Sequence, residues 1–124
     1  MEPMILELAD YFQDIIFFVT SRLSDGRLNI INANSLTRDK DNLVELSYLS
    51  TFCDALIGRN SGPHVFSWTK ENCFSNKINI SFTTHRDCQH FVLNSPIKMA
   101  KFWSNKVNIR ANFNFIKEIF EREL

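Results

Sequence analysis

Apolar residues at Met4, Ile5, Leu8, Tyr11 and Phe12 fall along one face of a helix, so a helix from Met4 to Phe12 is expected, laid over a sheet. Ile15 to Val19 is an unbroken β-branched and aromatic run, as expected of a central strand buried on both faces in a helix-covered parallel sheet. Ser24, Asp25 and Gly26 form a turn, and Leu28 to Ile31 predicts a second strand whose polar continuation, Asn32, Asn34 and Ser35, marks an exposed edge. Asn42 three residues before Glu45 has capping-box spacing, and Leu43, Leu46, Leu49 and Phe52 make the apolar stripe of the helix that follows.

A third strand runs from Asp54 to Ile57 and stops at Gly58. Pro63 suits the first turn of a helix, because its fixed φ is helical and its missing N–H has no partner there in any case; this helix is expected to reach Glu71. Ile78, Ile80 and Phe82 alternate with polar residues, predicting a fourth strand with a wetter face or a place near an edge. Phe91 to Leu93 and Val107 to Ile109 are short candidate extensions. Phe113, Ile116, Phe120 and Leu124, opposite Lys117, Glu118, Glu121 and Arg122, describe an amphipathic closing helix. Helix and strand alternate throughout, which argues for α/β: a single Rossmann-like domain over residues 1–124, with an open, mainly parallel sheet flanked by helices.

Composition narrows the function. The chain has 124 residues, 44% of them hydrophobic, enough for one core and too few for a second domain. Its 14 basic and 14 acidic side chains cancel, so no global field attracts nucleic acid or an anionic membrane. No apolar stretch approaches the roughly 20 residues of a transmembrane helix, and the acidic start (Glu2, Glu7, Asp10) lacks the basic region of a signal peptide. A cytoplasmic location is expected. Cys53, Cys73 and Cys88 are far apart and odd in number, which suits reduced thiols.

The candidate chemistry lies in the stretch DALIGRNSGPHVF, Asp54 to Phe66. A strand ends, a polar loop carries two glycines, and a proline opens a helix whose first N–H groups lack intrahelical partners. Gly58 and Gly62 let the backbone approach a phosphate, Ser61 offers a hydroxyl, and Arg59 offers a planar fork for phosphate oxygens. The same residues also suit plain strand-to-helix punctuation, with Ser61 as a helix cap.

The run LVELSYLSTFCDALIGRNSGPHVF, Leu43 to Phe66, resembles the donor-side motif of GT-B glycosyltransferases, especially the heptosyltransferase-like group. In that group a helix of the type xLxELxxLxxxAD leads through a strand into a GxDSGPxH loop. Glu45, Leu46 and Leu49 match the helix, Cys53 and Asp54 its end, and Gly58, Ser61, Gly62 and Pro63 the loop. The resemblance implies a donor-binding domain that holds the diphosphate of a nucleotide-diphosphate sugar through Ser61 and Gly62, with Gly58 shaping the turn. It implies a role in cell-surface polysaccharide synthesis and catalysis in a cleft completed by a second domain. That wall would come from an acceptor-domain chain or from a second copy, and no catalytic residue is assigned to this chain. Asn60 stands where the group has an aspartate and cannot ionise, and His64 lies one residue before the expected histidine, at the place before Val65.

His64 is the titratable side chain of the loop, able to donate to phosphate or sugar oxygens, and equally an ordinary surface histidine. Glu71 and Asn72 follow, where GT-B enzymes often carry an acidic partner of the donor ribose; a solvated helix end explains Glu71 as well. His85, Cys88 and His90 form an HxxCxH cluster without the paired spacings of a zinc site, and neither metal nor cofactor is expected. Twelve phenylalanines are read as core. No GxGxxG, GxxxxGKS, GxSxG or HExxH stretch occurs. The alternative to a donor-binding domain is a truncated, non-catalytic α/β module with only anion- or partner-binding capacity.

Overall fold

A computed structural model describes residues 2–21, 23, 26–38, 42–59, 64, 66–82, 102–104 and 109–124. The elements are α1 (Glu2–Tyr11), β1 (Phe17–Val19), β2 (Ile30–Asn32), a 3-10 turn (Ala33–Leu36), α2 (Leu43–Ser50), β3 (Ala55–Arg59), α3 (Lys70–Cys73), β4 (Ile78–Phe82), β5 (Phe102–Ser104) and α4 (Ile109–Glu123). The class is mixed α/β with parallel strands. Among the described residues the strands form two small sheets, β1-β2 and β3-β4-β5, in place of one open sheet. Packing divides the chain into two compact units, Met1–Lys40 with Val107–Leu124, and Asp41–Lys106.

In the first unit the apolar stripe of α1 buries Met4, Leu8 and Ala9, while α4 buries Phe113, Ile116, Ile119 and Phe120. The two helices pack on each other: Tyr11 meets Phe113 edge-on with centroids 6.2 Å apart, and Phe12 lies 5.5 Å from Phe120. Tyr11 donates its hydroxyl to Glu121 at 2.6 Å. Asn29 Nδ2 donates to the carbonyls of Ala9, Phe12 and Ile15, tying the end of α1 to the approach to β1. β1 departs from the expected doubly buried strand. It begins at Phe17 and pairs, among the described residues, with β2 alone; Ile16 and Phe18 are exposed, and Val19 is its buried residue. Aromatic and β-branched residues favour the extended backbone, but burial on both faces needs cover on both sides. Leu124 also falls outside the core, exposed just past the end of α4.

In the second unit β3 and β4 pair in parallel over five residues, with Ile57 opposite Ile80, and β5 adds to the far side of β4. β4 is therefore the central strand and is buried from Ile78 through Ser81, where a wet face or edge was expected. β3 does not stop at Gly58: Gly58 pairs with Ser81 and Arg59 with Phe82. α2 buries Leu46, but Phe52 leaves the predicted stripe and meets exposed Tyr48 edge-on with centroids 5.2 Å apart. Asn42 precedes α2 without a side-chain cap bond. Val107 and Asn108 lie outside the described residues, as does Phe91 to Leu93, and Ile109 begins α4.

Candidate functional site

Among the described residues the helix expected from Pro63 to Glu71 is broken into two short pieces. The backbone is helical at His64 and Phe66, opens at Trp68 and Thr69, and resumes in α3. Thr69 breaks the run because it is extended (φ −74°, ψ 165°) and its hydroxyl accepts from Asn72 N at 3.1 Å, the geometry of a new N-cap. Ser67 closes the first piece, its N and its Oγ both donating to the His64 carbonyl, at 3.2 and 2.6 Å.

These turns carry His64 over the β3–β4 pair. Parallel register places Leu56, Gly58, Asn79 and Ser81 on one face of the strands, and His64 lies on that face. Its Nε2 is 2.8 Å from Ser81 Oγ, which is 3.5 Å from Asn79 Oδ1, and its ring meets Trp68 edge-on at 5.8 Å. The ring is only 8% exposed. Burial disfavours its charged form and pushes its pKa down to about 4, the nearby Asn79 side chain offsetting only part. A Cβ on Gly58 would lie 2.7 Å from His64 Cγ and 2.8 Å from its Cβ, so the imidazole occupies the space that glycine leaves open. Asn79 Nδ2 and Trp68 Nε1 are buried without partners among the described residues.

A second polar group lies behind the first. Asn72, 3% exposed, donates from Nδ2 to Ser67 O at 2.6 Å and to Ser50 Oγ at 2.8 Å, and its Oδ1 accepts from Lys77 Nζ at 2.8 Å. Lys77 Nζ also donates to the carbonyls of Ser50 and Thr51, covering the C-terminal end of α2 where a cation is favoured. Burial lowers the Lys77 pKa, with Cys53 and Asp54 pulling the other way, and burial raises that of the Cys53 thiol.

Of the sequence-predicted residues, the structure brings together Gly58 and His64, and it holds Asn72 in the neighbouring network. Arg59 is exposed at the end of β3, and Glu71 is exposed on α3. Asn60, Ser61 and Gly62 lie outside the described residues, as do His85, Cys88 and His90. Ser81, Asn79 and Lys77 escaped sequence reasoning. The available signal was the pair of small polar residues two apart within an apolar strand, which alternation alone assigns to solvent. No group of three or more His, Cys, Asp or Glu able to hold a metal occurs among the described residues, and none of their helices is long and apolar enough to cross a membrane.

No protein-family model, curated protein or solved structure matches the chain.

Proposed function

We propose that the 41–106 unit is a Rossmann-like donor-binding module that holds the diphosphate of a nucleotide sugar beyond the carboxyl end of β3, as the resemblance to GT-B glycosyltransferases implies. The observation that carries this reading is the position of Arg59. It is exposed at the end of a strand in a parallel sheet, immediately before the Asn60-Ser61-Gly62 stretch. In open α/β sheets ligands sit beyond the strand ends, and a guanidinium binds phosphate oxygens bidentately. His64 has no acid–base role in this reading: buried, with its pKa pushed down to about 4, it stays neutral at physiological pH and faces Ser81.

Calorimetric titration of UDP-, GDP- and ADP-sugars, with Arg59→Ala and Ser61→Ala as controls, tests this. One nucleotide class is expected to bind, with Arg59→Ala weakening it about tenfold, the loss of one charge-assisted contact. Absence of heat and of any rise in melting temperature at millimolar nucleotide would end the reading.

A second reading, a non-catalytic remnant module, is favoured by Asn72 and His64, whose polar atoms are engaged with Ser50, Ser67, Lys77 and Ser81 inside the fold. It predicts a cooperatively folded protein that binds none of these nucleotides.

A further inference from the structure

We infer that His64 is an acid-sensitive pin: its neutral ring fastens onto the β3–β4 pair the turn closed by the two Ser67 bonds to the His64 carbonyl, and protonation of the ring releases that turn while the strands stay paired. The inference does not depend on what the loop binds, and its test uses no ligand.

The pin is a set of contacts to one ring. The imidazole fills the space above Gly58, reaches Ser81 on the central strand, and meets Trp68 edge-on. Its carbonyl holds Ser67 through two bonds, so the ring and the turn move together. The groups around the ring are suited to a neutral imidazole. Ser81 and Asn79 are uncharged. Arg59 and Asp54 flank β3 and are exposed, as are Lys70 and Glu71 on α3, while Lys77 is committed to Asn72 and to carbonyls at the end of α2. Among the described residues no carboxylate pairs with the ring, so an added proton leaves a buried cation without a counter-charge from them. The depressed pKa has the same origin.

Local release is favoured over wholesale unfolding by the way the turn is attached. The β3–β4 ladder has its own five-residue register. Lifting the ring breaks the Ser81 bond and exposes the turn, yet it gives the imidazolium water and leaves that ladder in place.

Amide hydrogen exchange measured from pH 7 to pH 4, corrected for the intrinsic chemical rate, tests the pin. The Ser67 amide is expected to lose protection at least tenfold as pH falls, and to exchange through an opening of lower free energy than that of Ile57 and Ile80 in the ladder. His64→Gln, which cannot titrate in this range, should abolish the transition. Ser81→Ala keeps the titrating ring but removes its partner, and should move the midpoint upward; it serves as well if His64→Gln does not fold. Unchanged protection at Ser67 down to pH 4, equal opening free energies at Ser67 and in the ladder throughout the range, or an unmoved midpoint in Ser81→Ala would each overturn the inference.

Discussion

Gly58 and His64 are one structural decision made at two positions. A methyl group at Gly58 would sit 2.7 Å from a ring carbon close to the His64 backbone, which cannot swing aside as the tip of a long side chain can. Gly58→Ala is therefore expected to destabilise the protein by about 1–3 kcal/mol, the usual cost of overpacking, read from urea unfolding. His64 adds a pH dependence whose sign follows from its pKa. The folded state holds the ring neutral down to about 4, whereas the unfolded chain protonates it near 6.5. Between those values the unfolded state binds more protons, so stability is fully present above 6.5 and is lost as pH falls toward 4. The loss amounts to about 3 kcal/mol at most, from about 1.4 kcal/mol per pKa unit. Chemical denaturation at a series of pH values should show that slope, and His64→Gln should flatten it. In the sequence both residues stood out, but as partners of a phosphate; the contact of one with the other was invisible there, because it is made only when the chain turns back over β3.

At the scale of elements, the periodicities of α2 and α4 read correctly where a second layer meets them and fail where none does. Leu46→Ala should cost about 2–5 kcal/mol as a core truncation, whereas Phe52→Ser, at 70% exposure, should change stability by about 0.5 kcal/mol or less. Thermal unfolding of the two variants separates the predicted stripe into its buried and solvent-facing parts. Asn72 belongs to this scale because it joins three elements, α2, α3 and the turn before it. Asn72→Ala leaves Ser50, Ser67 and Lys77 each short of a partner, and an effect of about 2–3 kcal/mol is expected in the same measurement. The break of the expected 63–71 helix at Thr69 follows equally from local chemistry. A threonine three residues before Asn72 caps a fresh turn more readily than it continues the old one.

At the scale of the whole molecule, the net charge of zero and the parallel α/β class leave a chain whose recognition of any anion must be local. Binding at the end of β3 is accordingly expected to weaken with salt only modestly. A nucleotide affinity measured at 50 mM and 300 mM salt should change several-fold and not by orders of magnitude, since exposed Arg59 supplies a single charge. A steep salt dependence would point to a different, multiply charged surface.

The sequence by itself determined the class of the fold, the positions of α1, α2, β3, β4 and α4 to within a few residues, and the stretch from Gly58 to His64 as its most distinctive segment. These depend on local periodicity, backbone preference and turn chemistry, which short stretches of chain carry within themselves. Tertiary structure alone decided that β4 lies between β3 and β5, that Asn79 and Ser81 are buried beneath His64, that Phe18 and Phe52 face outward, and that the described strands form two sheets. Each of these depends on what packs on the far side of an element. A residue contributes only its own half of such a contact, and the other half arrives from a distant part of the chain.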